Sequence, residues 1–279
     1  KNKQVKLISS LFLFAPNPLK GFKEQGQISL PKFKNIIFYL SQKLIYWLIK
    51  KHADMIFVTS KPDKDRFVKA GRQAGEIVVI QGGVETSQAK QYLSSGEKTA
   101  KVYDACFVGR FHPQKGVLEL IEIWRNICQI KPKAKLAVIG IGELENQMRD
   151  KVKLYHLENN ISFLGFLDGL PKYEIFKKSR IILHPAVYDS GGMAACEGMA
   201  WGLPGVGFNL EALKTYYPKG MLKAPIGDLN SFTDLIIKLL EDQELYRKTS
   251  LEAAELGREW DWDYRAKNNL KLIKNFFYA

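Results

Sequence analysis

Two stretches of this chain carry residue types that could do chemistry on an anion. The first, Gly109, Arg110, Phe111, His112, Pro113, Gln114, Lys115 and Gly116, directly follows a short apolar run at 105–108. A glycine allows close backbone approach, Arg110 offers a planar fork of donors and Lys115 a point charge, a set that suits a diphosphate. The second runs from Asp189 through Ser190, Gly191, Gly192 and Met193 to Glu197, so two carboxylates stand eight positions apart across a glycine pair. If a helix begins near Gly191, the amides of Gly191, Gly192 and Met193 point outward at its positive end, a place for a phosphate or a sugar hydroxyl. Glu197 then lies one turn in, on the face of Met193, where a carboxylate can accept two hydroxyls of a ribose. Each stretch also has a plainer reading. The loop cations are ordinary solvated charges, and the glycines form a turn with Glu197 satisfied by a local cation. A glutamate flanked by Cys196, Met199 and Ala200 fits that second reading poorly unless it has a partner, because buried carboxylates need one.

Elements that could position these residues alternate regularly. Apolar runs of strand length stand at 105–108, 135–139, 161–164, 181–184 and 205–208, separated by helical patterns, which predicts a doubly wound α/β domain with a parallel sheet. Val117, Leu120, Ile121, Trp124, Ile127 and Cys128 recur at helical spacing and form a stripe that covers one sheet face. Upstream, 33–51 reads as a basic and apolar helix, 55–59 and 78–80 as strands, and part of 1–16 as another strand. The polar stretch 87–101 lacks apolar periodicity and reads as a linker. The expected division is therefore 1–90 as a partial amino-terminal domain, 91–259 as the sheet domain that holds both anion stretches, and 260–279 as a terminal helix. The chain opens on Lys1 rather than Met, and the pattern before Ser87 is short for a whole sheet domain, so an incomplete first domain is expected.

Composition narrows the class. The chain has 279 residues, 46% of them hydrophobic, enough for real cores. Lys and Arg outnumber Asp and Glu by 42 to 29, and a net charge of +13 predicts an anionic partner. Three cysteines, Cys106, Cys128 and Cys196, sit singly among apolar residues without metal-ligand spacing and read as buried free thiols of a reducing compartment. No run reaches the roughly 18 apolar residues of a spanning helix. Asp261, Trp262 and Asp263 form an Asp-x-Asp triplet, but it follows a helix and supplies only two ligands, so no metal is expected there.

Taken jointly, GRFHPQKG at 109–116, the VIGIGE turn at 138–143, ISFLGFL at 161–167 and YDSGGMAACEGMAWGLPGVGF from Tyr188 resemble retaining glycosyltransferase family 4, which has the GT-B fold of two Rossmann-like domains. VTSKPDKDRFVKAG and VVIQGGVE resemble that family's interdomain region. The resemblance implies a nucleotide-sugar donor whose diphosphate is bound by Arg110 and Lys115, whose ribose is bound by Glu197, and whose sugar and phosphates meet Asp189 with the amides of Gly191 to Met193. It places Gly109, Gly140, Gly142, Leu164 and Ser190 along the donor, with 163–165 near the base. It further implies hexosyl transfer with retention to a glycan acceptor, with no cofactor, in the cytoplasm. The two cations and the helix amides would stabilise the leaving diphosphate without a metal. The lysines and Trp47 of 33–51 allow contact with anionic lipid, which would give a lipid-linked acceptor, work at the inner membrane face and peripheral membrane association, while a helix simply buried in the core is the competing reading. The family usually has Glu-Gly-Phe-Gly where this chain has Asp189, Ser190, Gly191 and Gly192, which shortens the carboxylate by one methylene. Two other classes compete. A nicotinamide oxidoreductase would need a third glycine where Glu145 follows Gly140 and Gly142. A nucleic-acid-binding module would account for the charge, yet the basic residues are spread along the chain without a reading motif.

Overall fold

In the computed structural model, residues 7–11, 23–24, 27–28, 33–189 and 192–278 are described. They fall into two compact units, one of residues 1–81 and 273–279, the other of residues 82–272.

The first unit is built on a three-stranded parallel sheet. Its strands are β1 (Ile8–Leu11), β4 (Met55–Val58) and β5 (Ile77–Val79), in the order β1-β4-β5. A small antiparallel pair, β2 (Lys23–Glu24) and β3 (Gln27–Ile28), stands apart from it. Helix α1 (Phe33–His52) connects the sheet strands and buries Ile49 with Ile56, Val58 and Phe67, the last from α2 (Lys61–Lys69). The N-terminus of α2 is set by Ser60, whose hydroxyl accepts the Asp63 amide, and by Pro62 in the first turn.

The second unit begins with a difference from the sequence reading. Residues 87–95 of the expected linker form helix α3 (Ser87–Ser95), closed by Gly96 in the left-handed region, and Ala89 is buried in the unit's core. One small buried side chain is too faint a periodic signal to read from sequence. A six-stranded parallel sheet follows: β6 (Tyr103–Val108), β7 (Leu136–Ile139), β8 (Ile161–Phe163), β9 (Ser179–His184), β10 (Gly205–Phe208) and β11 (Met221–Ala224). The five expected strands are all present. β11 was not anticipated, because Lys223 interrupts its four residues and Pro225 ends them.

Strand order is β11-β10-β9-β6-β7-β8. The chain winds outward from β6 through β7 and β8, then returns to lay β9 against the other side of β6. The turn-around lies between β6 and β9, and ligands of open α/β sheets bind at such a point, beyond the carboxyl ends of the strands. The loops leaving those two ends are 109–116 and 185–192, the two stretches with anion chemistry.

Alternation along the strands explains the layers. Ala105, Phe107, Leu136, Val138, Ile181 and Leu183 face one side, beneath α4 (Val117–Ile130) and α9 (Leu229–Glu241). Cys106, Ala137 and Ile182 face the other, beneath α7 (Met193–Ala200) and α10 (Gln243–Glu259). The α4 stripe is buried from Val117 to Ile127 as its spacing predicts, with Trp124 among its buried residues, while Cys128 at its end is half-buried. Three further helices, α5 (Glu145–Leu154), α6 (Leu170–Lys178) and α8 (Glu211–Tyr216), fill the remaining connections, and α11 (Trp262–Tyr278) closes the chain. Cys106, Cys128 and Cys196 are free thiols, and burial pushes Cys106 up to about 12.

Candidate functional site

The loop after β6 is shaped by backbone contacts. Gly109 donates to the Ile139 carbonyl at 3.0 Å, and Phe111, fully buried, donates to the Ile141 carbonyl at 2.9 Å. The β7–α5 turn presses so closely on this loop that a Cβ at Gly140 would stand 1.9 Å from the Gly109 oxygen, and one at Gly142 2.5 Å from the Phe111 oxygen. Neither position can carry a side chain, so in this structure both glycines serve the contact between two turns. His112 then starts a 3-10 turn, Pro113–Lys115, by accepting the Gln114 amide at Nδ1, 3.2 Å away. Gly116 ends it with φ +63°, and a Cβ there would fall 1.9 Å from the Pro185 oxygen.

The same turn is tied to the loop after β9. The Gln114 carbonyl accepts the amides of Val187 at 3.1 Å and Tyr188 at 3.4 Å. Lys115 is thereby delivered to Asp189, with Nζ 2.5 Å from Oδ2. Asp189 is nearly enclosed, its side chain 7% exposed, and His184 Nε2 approaches the same oxygen at 3.4 Å. Its other oxygen accepts the Gly192 amide at 3.0 Å. Burial pushes this carboxyl up, but His184 and Lys115 outweigh burial and hold it far below the ordinary carboxylate range.

Helix α7 begins at Met193, with Gly192 in the left-handed region at φ +55°, where a Cβ would meet His184 Nε2 at 2.8 Å. Tyr217 fixes this corner from beneath by donating its hydroxyl to the Gly192 carbonyl, and its buried ring stacks on Trp260 with centroids 5.6 Å apart. The outward-pointing amides expected at 191–193 are therefore not all free, since that of Gly192 is taken by Asp189. Ser190 and Gly191 lie outside the described residues. Met193 lays its thioether against Gly82, where a Cβ would stand 3.3 Å from the sulfur.

Glu197 lies one turn along α7 and is paired with Lys172 of α6 at 2.7 Å. Lys172 is buried, and its Nζ also meets Asp168 at 3.0 Å. Burial lowers the Lys172 ammonium, but Glu197 and Asp168 together raise it above its usual value. Lys172 was not among the residues singled out from sequence. Its only signal was the Asp168 to Lys172 spacing of four, which looks like a surface pair on a helix. Leu164 continues β8, donates to the Val138 carbonyl at 2.9 Å and packs half-buried under the same face as α7. Arg110 is exposed and is not drawn into the Lys115 and Asp189 pair.

In the Asp-x-Asp triplet, Asp261 has a structural role. Asp261 Oδ1 accepts the amides of Asp263 and Tyr264, each at 3.1 Å, and so caps α11. Its Oδ2 meets Thr86 at 2.5 Å and Lys90 at 2.8 Å. Among the described residues, no group of three or more His, Cys, Asp or Glu converges as a metal site.

The family model of glycosyl transferases group 1 matches residues 90–256, the segment that carries both loops, Lys172 and α7. The chain belongs to that family. An uncharacterized glycosyltransferase of Methanocaldococcus jannaschii is 25% identical to this glycosyltransferase over 92% of the chain and 70% of its own length. The N-acetyl-alpha-D-glucosaminyl L-malate synthase of Bacillus anthracis is 27% identical over 69% of the chain and 49% of its own length. Sucrose-phosphate synthase of Thermosynechococcus elongatus superposes with a TM-score of 0.74 at 20% identity, covering 100% of this chain and 69% of that one. Anabaena HepE, solved with UDP and glucose, does so with a TM-score of 0.69 at 17% identity, covering 96% and 71%. The chain thus spans between about half and 70% of the length of these proteins. Its fold is that of the GT-B glycosyltransferases. Among the described residues, no helix is long and apolar enough to cross a membrane.

Proposed function

We propose that this glycosyltransferase transfers a hexosyl group from a nucleoside-diphosphate sugar to a glycan or lipid-linked acceptor, as a family 4 enzyme that retains configuration and needs no metal. The observation that carries the reading is the Lys115 and Asp189 pair in the crevice between the loops after β6 and β9. Lys115 and the exposed Arg110 are the cations for the donor diphosphate, and Asp189 is the carboxylate for the sugar end. As the glycosidic bond breaks, negative charge grows on the departing diphosphate. Fixed cations in a crevice stabilise that charge without reorganising, the electrostatic route to a lower barrier. No protein nucleophile is part of the reading. Glu197, one helical turn away, is the acceptor for the ribose hydroxyls. The UDP bound in the HepE structure supports a nucleotide of this class.

The acceptor reading draws on α1, where Ile37, Leu40, Leu44 and Trp47 are exposed and none of the twenty residues is acidic. Such a face suits an anionic lipid surface. The primary test is a thermal-shift and calorimetric panel of UDP-, GDP- and ADP-sugars, since a ligand of the folded state raises its melting temperature. Stabilisation by at least one and by none of the dinucleotide cofactors is expected, and the converse result overturns the reading. Proton NMR of the product gives the anomer, an assay in excess EDTA the metal requirement, and flotation with anionic vesicles the lipid contact.

A further inference from the structure

Glu197 occupies a helix that cannot hold it. Its neighbours at helical spacing are Met193, Ala194, Ala200 and Trp201, none charged, and the glutamate side chain has three torsions to fix. The constraint comes from another helix. Lys172 of α6, itself only 8% exposed, sets its ammonium 2.7 Å from Glu197 Oε2. The lysine is fixed in turn. Asp168, four residues earlier, meets Nζ at 3.0 Å, and the adjacent Tyr173 packs its ring 5.1 Å from that of Trp201, at the end of α7. The side chain of Asp168 is 73% exposed and that of Glu197 31%, so Glu197 is the better-shielded partner of the buried ammonium.

From this geometry we infer that Lys172 is the positioning residue for ribose recognition, the group that keeps Glu197 aimed and makes the site distinguish ribonucleotides from 2'-deoxyribonucleotides. The inference rests on the reading of Glu197 as the ribose acceptor. Two vicinal hydroxyls need a carboxylate held in one orientation. Oε2 is buried against Lys172, so Oε1, with its two lone pairs, is the oxygen left to accept them. An untethered glutamate would have to lose its rotamer freedom on binding, and the gain from each hydroxyl would fall accordingly.

The test is calorimetric titration of the full chain and its variants Lys172→Met, Lys172→Arg and Glu197→Gln with UDP, 2'-deoxy-UDP, GDP, 2'-deoxy-GDP and inorganic pyrophosphate. For Lys172→Met, the better-bound ribonucleotide weakens by about tenfold while its deoxy counterpart changes much less, so the ratio between them collapses. Pyrophosphate affinity stays level, which a general loss of fold would not allow. Lys172→Arg recovers most of the ratio. If Glu197→Gln lowers the ribo-to-deoxy ratio and Lys172→Met does not, the positioning role is wrong while the ribose reading stands. If Glu197→Gln itself leaves the ratio unchanged, the ribose reading fails and this inference with it.

Discussion

Replacing Lys115 by methionine keeps the length of the side chain and removes its charge, and the consequence reaches beyond ligand binding. Asp189 would keep the Gly192 amide at 3.0 Å and His184 at 3.4 Å, but its side chain is only 7% exposed. Breaking a buried ion pair from one side costs about 3–5 kcal/mol, because the partner charge is stranded. The unit that contains the pair runs from residue 82 to 272, and for domains of this size each kcal/mol moves the midpoint by about 2–4 °C. A fall of roughly 6–20 °C is therefore expected for Lys115→Met at pH 7 by circular dichroism. Adding Asp189→Asn removes the stranded charge, so the double variant melts above the single one. The folded carboxyl of Asp189 is held below its unfolded value, so its contribution is complete above about pH 4 and is lost as pH falls through the folded value. The gap between wild type and Lys115→Met accordingly narrows in acid. Pyrophosphate affinity, titrated well below the midpoint, drops about ten- to a hundredfold. A Lys115→Met protein that melts within 2 °C of wild type, or a double variant no better than the single, refutes the reasoning.

Three further outcomes are expected. Gly116→Ala places a methyl 1.9 Å from the Pro185 oxygen at φ +63°, so it costs more than 3 kcal/mol by the scale of severe single substitutions, seen as a lower urea midpoint. Asp261→Ala removes the cap of α11 and costs about 0.5–2 kcal/mol, while calorimetry with Mg²⁺ or Mn²⁺ shows no binding heat that the substitution abolishes. A disulfide reagent at pH 8 modifies the native thiols slowly, because burial pushes Cys106 to about 12 and Cys128 to about 11, and unfolding in guanidinium makes them react at once.

What could be read from sequence was whatever repeats locally. The strands from β6 to β10 and the α4 stripe follow from apolar runs and helical spacing, and the loops after β6 and β9 stood out by residue type. What escaped depends on contacts between distant segments. Lys172 and Glu197 are 25 positions apart, and nothing in either neighbourhood says that α6 and α7 bring them within 2.7 Å. Lys115 and Asp189 are 74 apart, and each was singled out separately, but their pairing emerges only when β9 returns beside β6. Gly140 and Gly142 are expected along the donor, and residue type alone could not reveal that the direction a Cβ would take at each is filled by the loop at 109–111. Helix α3 and strand β11 were missed for a related reason, since a polar helix and a four-residue strand broken by Lys223 are defined by the surface they complete.

Beside the Lys115 and Asp189 pair, the two crevice loops are tied by main-chain atoms, through the Gln114 carbonyl and the close passage of Gly116 under Pro185. Such a joint is present before any ligand arrives, so the facing segments 109–116 and 185–189 do not have to be brought together when one binds, and that part of the ordering entropy is already spent in folding. Its main-chain part is also indifferent to most side chains. Residues such as Arg110 and Val187 can be exchanged without changing the spacing of the walls, as long as Gly116 stays a glycine and His112, Lys115 and Asp189 keep their bonds. The mouth of this crevice can therefore drift in chemistry from one descendant to the next while its width is inherited.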